Sequence, residues 1–228
     1  MPAKTTKPKA PPKIRILLVD DHALFRRGLA SLIETEPDLV VCAQAATRQA
    51  GLEAIAAAKP DLVITDLSLG DIDGLELIKD LKRRFPRLPV LALSMHGEAI
   101  YAERALRAGA RGYVTREEID ATVLIAIRRV LAGEIYTSEA MSRRFSQKFI
   151  CGGTLQEAAG LERLSDRELE VFQRIGRGDS TREIARSLRL SVKTIESYLE
   201  HLKAKLELPN GAALHRCAIL WTETGRLG

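Results

Sequence analysis

The chain has 228 residues, 46% hydrophobic and 29% charged. That is the composition of an ordinary soluble protein long enough for two compact domains, and it excludes disordered and fibrous classes. The formal net charge is +5, but residues 1–13 carry +4, residues 14–160 carry −1 and residues 161–228 carry +2, so bulk charge does not argue for nucleic-acid binding.

The excess sits on a Pro/Lys segment with Lys4, Lys7, Lys9 and Lys13 and no acid; such a stretch cannot bury a core and is predicted to be a disordered basic tail over 1–13. The longest apolar runs, such as Ala121 to Ile127, fall far short of the roughly 18 residues of a membrane span, and no signal-peptide core opens the sequence. A cytoplasmic protein without membrane contact is expected. Cys42, Cys151 and Cys217 are far apart and lack ligand spacing, which predicts inert thiols rather than a disulfide framework or zinc site.

From Ile14 onward, short apolar runs alternate with helical patterns, the signature of a parallel sheet covered by helices on both faces. Strands are predicted at Ile14–Val19, Leu39–Ala43, Leu62–Thr65, Val90–Ser94 and Gly112–Thr115. Helices are predicted near 23–34, 47–58, 74–84, 98–108 and 117–132, with apolar residues at three-and-four spacing such as Leu75, Ile78 and Leu81. This makes residues 14–135 an α/β doubly wound domain with a five-stranded parallel sheet. The rhythm stops after Gly133. Residues 136–160 are polar and broken by Gly152-Gly153, and read as an interdomain linker with room for a short helix.

Residues 161–228 are helical in pattern. Ser165-x-x-Glu168 and Ser180-x-x-Glu183 fit capping boxes, Ser191 can cap a further helix, and Gly178 suits a helix end. Thr181–Leu188 and Val192–Leu206, separated by three residues, match a helix-turn-helix, in which the start of the second helix enters the major groove. Ile195, Leu199, Leu202 and Leu206 mark its inner stripe, leaving Lys193, Glu196, Ser197, Glu200 and Lys203 outside. A solvent-exposed amphipathic helix would show the same pattern.

In an open parallel sheet the functional crevice lies at the carboxyl ends of the strands. Here those ends are Asp20-Asp21, Asp66 and Ser94, with the fifth strand leading through Tyr113 to Arg116. Converging carboxylates favour a hard divalent cation, and Mg²⁺ fits best. An aspartate there can attack phosphorus, with Ser94 donating to a phosphoryl oxygen and a nearby cation balancing its charge. Taken singly, each acid would be an ordinary cap or turn residue.

Residues 14–116 resemble the receiver domain of two-component response regulators, through Val19-Asp20-Asp21-His22, Ile64-Thr65-Asp66-Leu67 and Gly112-Tyr113-Val114-Thr115-Arg116. The resemblance implies a flavodoxin-like sheet of order 2-1-3-4-5 and Asp66 as the acceptor of a phosphoryl group from a histidine kinase. It also implies Mg²⁺ held by Asp21, Asp66 and the backbone carbonyl of Ser68 with support from Asp20, and Ser94 and Tyr113 as a switch pair. Two positions depart from the family. Its phosphate-contacting lysine is replaced by Arg116, whose planar fork is not equivalent, and its Pro-Gly pair after the acceptor by Gly70-Asp71. Phosphorylation is expected to survive, more slowly or only with the cognate kinase.

The string from Leu164 to Val171, with Gly178 to Ala185 and Ser191 to Tyr198, is similar to LuxR-type DNA-binding domains, so the whole chain resembles the NarL/FixJ response regulators. This implies a four-helix domain that presents Val192, Lys193, Glu196 and Ser197 to bases or phosphates, with Arg182 and Lys203 or Lys205 as phosphate contacts. Glu196 and Tyr198 depart from the family's usual lysine and histidine. The helix over 210–222, with Leu214, Cys217, Ala218 and Trp221 on one side, matches either the family's dimerisation helix or a last core helix. The expected protein is a regulator rather than a metabolic enzyme: phosphorylation-controlled, binding double-stranded DNA, and a homodimer when active. The competing readings are a DNA-binding regulator with a phosphate-independent receiver and, remotely, an aspartate-nucleophile phosphatase, against which Ser68 stands where a second aspartate would be needed.

Overall fold

A computed structural model of the chain describes residues 12–69, 72–94, 98–150, 160–188 and 190–224. The basic tail up to residue 11, Gly70-Asp71, Cys151, Gly152-Gly153 and Arg189 lie outside the described residues.

The first half runs β1 (Ile14–Val19), α1 (Ala23–Ile33), β2 (Leu39–Ala45), α2 (Arg48–Ala58), β3 (Leu62–Asp66), β4 (Ser68–Leu69), β5 (Ile72–Asp73), α3 (Gly74–Arg84), β6 (Val90–Ser94), α4 (Glu98–Ala108), β7 (Gly112–Thr115) and α5 (Ile119–Leu131). The long strands form a parallel five-stranded sheet in the order β2-β1-β3-β6-β7. This is the doubly wound order expected from the sequence, with β4 and β5 as a small antiparallel ribbon beside it.

Strand alternation divides the core. Leu17 and Val19 of β1 face α2 and belong to the same buried cluster as Leu52 and Ile55 of α2, Leu77, Ile78 and Leu81 of α3, and Ala102 and Ala105 of α4. Ile16 and Leu18 face α1 and α5, against Leu29, Ile33, Val123, Ile127 and Val130. Each fully buried aliphatic side chain contributes about 1.5–3 kcal/mol, and both faces are covered, which is why the strands read as continuous apolar runs.

Two strands run beyond the predicted limits. The β1–β2 register jumps from Ile16↔Val41 to Leu17↔Ala43, so Cys42 is the extra residue of a bulge, and pairing resumes to Val19↔Ala45. Strand β3 takes in Asp66 itself. Helix α5 is preceded by a 3-10 turn, Arg116–Glu118, rather than starting at 117. Within the stretch read as a linker, Tyr136 bridges Gly112 at the sheet edge, and α6 (Glu139–Ile150) packs near α4 with Met141 buried.

The second half contains α7 (Asp166–Gly176), α8 (Thr181–Ser187), α9 (Val192–Lys205) and α10 (Gly211–Thr224). Both predicted capping boxes are formed, Ser165 with Glu168 and Ser180 with Glu183, and Ser191 caps α9. Helices α7 and α10 cross closely. A Cβ on Gly176 would lie 2.0 Å from Thr222 Oγ1 and 2.5 Å from Ala218 O, so only glycine lets the two backbones approach. The side of α10 singled out in the sequence is its core side: Leu214, Ala218 and Trp221 are buried and Phe172 stacks obliquely on Trp221 at 5.8 Å, whereas Ile219 and Leu220 face outward.

Candidate functional site

Register delivers the acidic residues to one edge. Val19 pairs with Thr65, Thr65 with Ala92 and Ala92 with Tyr113, so the residues that follow in each strand emerge side by side. Asp20 and Asp66 are 3% and 1% exposed. Ligand atoms of Asp20, Asp21, His22 and Asp66 lie within 4.8 Å of one another. The loop after Asp66 is pressed against α3, where a Cβ on Gly74 would stand 2.3 Å from the Asp66 carbonyl oxygen. Ser94, at the end of β6, is fully buried, and Tyr113 is 1% exposed, its ring inside the domain.

Arg116 reaches into this pocket. Its Nη2 is 2.5 Å from Asp20 Oδ2 and 2.8 Å from Asp66 Oδ2, and its Cζ stands 4.1 Å over the ring centroid of Phe25 from α1. The other Asp20 oxygen accepts the His22 amide at 2.7 Å, and His22 Nδ1 lies 2.8 Å from Asp21 Oδ1. Burial pushes the Asp20 carboxyl above its ordinary value, and Arg116 and the His22 amide pull it only part of the way back. The structure therefore gathers Asp20, Asp21, Asp66 and Arg116 into one cluster, with the Ser68 backbone on the ribbon that follows Asp66.

The predicted DNA face is on the other half. Val192 is 40% exposed at the start of α9, followed by exposed Lys193, Glu196 and Ser197, with Ile195 and Leu202 fully buried beneath. Arg182 is exposed on α8. Lys203 pairs with Glu200 at 2.8 Å, and Lys205 is committed elsewhere, donating to Glu168 Oε2 at 2.7 Å. Burial raises the Glu168 carboxyl, but Lys205 and the Ser165 amide and hydroxyl more than offset it and hold it below the usual range. Lys205 thus locks the end of α9 to the start of α7.

Comparison with known proteins agrees with both halves. Residues 16–128 match the response regulator receiver domain family, and residues 162–218 match the bacterial regulatory proteins of the luxR family. The transcriptional activator protein ExaE of Pseudomonas putida is 37% identical over 207 residues, which cover 90% of this chain and 95% of that protein. The chain belongs to the LuxR-type response regulators. The oxygen regulatory protein NreC of Staphylococcus aureus (strain RF122) is 31% identical over 210 residues, covering 90% of this response regulator and 97% of NreC. Among solved structures, RcsB from Salmonella enterica serovar Typhimurium bound to promoter rprA with the phosphomimetic BeF3⁻ superposes with a TM-score of 0.67 at 26% identity, over 90% of this chain and 97% of that one. An RcsB–DNA complex gives 0.68 at 25% over the same shares.

Between the two halves of the response regulator lies a set of contacts that the sequence did not announce. Asp166, the first residue of α7, accepts from Lys79 Nζ of α3 and Arg104 Nη1 of α4, both at 2.8 Å. Arg104 Nη2 also donates to the carbonyls of Leu161 and Leu164, and Gln173 bonds Tyr101. Burial raises the Asp166 carboxyl, yet the hydrogen bonds from Lys79 and Arg104 outweigh it and leave the group below its ordinary value. These partners stand 62 and 87 residues apart along the chain, so no local pattern links them. Phe25 was missed for the same reason, since at sequence level it is one more apolar residue of α1. No helix among the described residues is long and apolar enough to cross a membrane.

Proposed function

We propose that this response regulator takes a phosphoryl group onto Asp66 from the phosphohistidine of a cognate kinase and binds double-stranded DNA as a homodimer in the cytoplasm, with phosphorylation setting its DNA affinity. The observation that carries this reading is the buried Asp66 carboxylate with Arg116 beside it and Asp20 and Asp21 within cation-sharing distance. In the transfer an Asp66 oxygen forms the new bond to phosphorus, the phosphorus–nitrogen bond of the donor breaks, and the imidazole leaves with the electron pair.

The donor set suits Mg²⁺, because it offers hard carboxylate oxygens and one backbone carbonyl rather than thiolates or a histidine cage. Asp21, Asp66 and the Ser68 carbonyl would hold it, with Asp20 in support. When bound, it offsets the negative charge of the carboxylates and the incoming phosphoryl group. Arg116 balances charge on the same group from the side of β7, and Ser94 donates its hydroxyl to a phosphoryl oxygen. Tyr113, buried on the neighbouring strand, is the aromatic partner of this switch pair.

The route to the DNA-binding half runs through α4, which follows Ser94 after a short connection and carries Arg104 and Tyr101 to α7. A phosphoryl group that draws Ser94 inward favours one placement of α4, and the free energy of coupling is the difference in contacts between the two placements. For DNA, the exposed start of α9 supplies Val192, Lys193, Glu196 and Ser197, and Arg182 and Lys203 are the phosphate contacts. The reported assembly of two RcsB dimers on two parallel DNAs supports the dimeric form.

The test is operator affinity measured with and without Mg²⁺ and phosphodonor, for the wild type and Asp66→Asn. A phosphate-dependent gain in the wild type only is expected. Unchanged affinity, with Asp66→Asn active in cells, would overturn the switch and leave the receiver as a phosphate-independent interaction module, a reading that the neutralising contact of Arg116 with Asp66 favours.

A further inference from the structure

The outer face of α9 carries its hydrogen-bonding capacity unevenly. Val192, Lys193, Glu196, Ser197 and Glu200 are exposed on it, on the side away from buried Ile195 and Leu202. Ser197 uses its hydroxyl proton within the helix, donating to the Lys193 carbonyl at 3.1 Å, so it shows only lone pairs to the outside. Glu200 is taken by Lys203 at 2.8 Å, and Lys205 by Glu168 at 2.7 Å. Among the exposed residues of the first two turns, one strong donor remains, Lys193, beside a carboxylate, Glu196, that can only accept. Glu196 forms no ion pair among the described residues. Against DNA such a carboxylate is repelled by phosphate, and the repulsion is offset only where a hydrogen-bond donor meets it.

We propose that Glu196 is a specificity residue for the bound DNA: its carboxylate accepts a hydrogen bond from the N4 amino group of a cytosine in the major groove. The inference rests on the reading of α9 as the helix that enters that groove, and it names one base there. The bases offer two exocyclic donors in the major groove, cytosine N4 and adenine N6. Adenine presents the N7 acceptor beside its amino group, so a carboxylate approaching the one meets the lone pair of the other. On cytosine the neighbouring edge position is C5–H, which repels nothing. Guanine and thymine turn only acceptors to the groove, O6 and N7 on one and O4 on the other, and reject Glu196. Its negative charge also weakens binding to every sequence without the donor, so Glu196 discriminates by penalty as much as by attraction. Lys193, one turn earlier on the same face, supplies a local attraction to the DNA that offsets part of that penalty.

The experiment is selection of bound sequences by the full-length protein from a randomised DNA duplex library, with and without Mg²⁺ and phosphodonor, followed by titrations on the selected duplex. In the wild type a cytosine is expected at one fixed position of the selected site, preferred about tenfold over the other bases. Glu196→Ala is expected to lose that preference and to bind unrelated duplex more tightly. Glu196→Gln should exchange the cytosine for adenine, because a carboxamide both accepts from N6 and donates to N7. With wild-type protein, N4-methylcytosine at the same position puts a methyl group where the donated hydrogen was and should weaken binding about tenfold, a measurement that does not depend on any variant folding. With Glu196→Ala the same methyl group should cost little. One sequence selected alike by the wild type and both variants, or an N4-methyl group that the wild type tolerates, would overturn the proposal. Absence of any selected sequence with the wild type would overturn the DNA-binding reading as well, whereas a selected sequence indifferent to Glu196 overturns this inference alone.

Discussion

The acidic pocket and the outer face of α9 both carry charge, but they hold it in opposite ways. In the pocket the charges are buried and mutually engaged, Asp20 with Arg116 and His22, Asp66 with Arg116. On α9, Lys193 and Glu196 are exposed and form no ion pair among the described residues. A buried network responds as a unit, because removing one member leaves the others uncompensated in a low-dielectric site. An exposed face responds residue by residue, with effects that add when positions are well separated. The first arrangement suits a two-state switch and the second suits reading a surface whose partner supplies the missing charges.

The strongest way to break that contrast is at Asp66. Asp66→Asn is expected to abolish acyl-phosphate formation with kinase or acetyl phosphate and Mg²⁺, read by mass spectrometry or phosphate-affinity gels, and a modified protein with the label elsewhere would remove Asp66 from its role. Next in size is the close backbone contact between α7 and α10. Gly176→Ala forces α7 and α10 apart and should cost roughly 2–3 kcal/mol of stability, as overpacking does in a tight core, measured by denaturant melting of the full chain; a loss under about 0.5 kcal/mol would show that the helices separate freely.

Lys193→Ala comes third. It should weaken DNA binding about five- to tenfold and lower the salt slope by about one, without shifting the melting temperature. Glu223→Ala, exposed on α10, serves as the control, and equal losses for both would erase the distinction between α9 and the remaining surface. The smallest effect expected is one of pH. The Asp166 carboxyl is held below its ordinary value, so the contact with Lys79 and Arg104 is fully present above the usual carboxylate range and is lost as pH falls through the lowered value. Energy transfer between labels on α3 and α7 should therefore decline only under acid conditions, and Asp166→Asn should remove that decline. An unaltered acid response in Asp166→Asn would place the titrating group elsewhere.

Much of this architecture was legible in the sequence because its signals are local. Strand ends announced Asp20, Asp21, Asp66 and Ser94, the capping boxes announced α7 and α8, and the spacing of Ile195 and Leu202 set the buried side of α9. What escaped depends on residues far apart in the chain. Lys205 looked like a candidate phosphate contact from its place on α9, yet its partner, Glu168, stands 37 positions earlier. The apolar side of α10 allowed two readings, and only its packing with α7 assigns Leu214 and Trp221 to the core. The bulge at Cys42 could not be anticipated, since an extra residue in one strand is invisible until its partner is known. Likewise the guanidinium of Arg116 was expected near a phosphoryl group, but its resting place between two carboxylates and a phenyl ring had no sequence signature.

The clamp on Asp166 has a logic of its own. Its carboxylate is taken by Lys79 through one oxygen and by Arg104 through the other, and these cations ride on two helices that leave the acidic pocket by separate routes, α3 from the loop packed on Asp66 and α4 from beyond Ser94. Displacing α3 would break the Lys79 bond, and displacing α4 would break those of Arg104 to Asp166, Leu161 and Leu164. The full contact thus requires α3 and α4 both in place, and it ties two helices that set out from the acidic pocket to the first turn of α7.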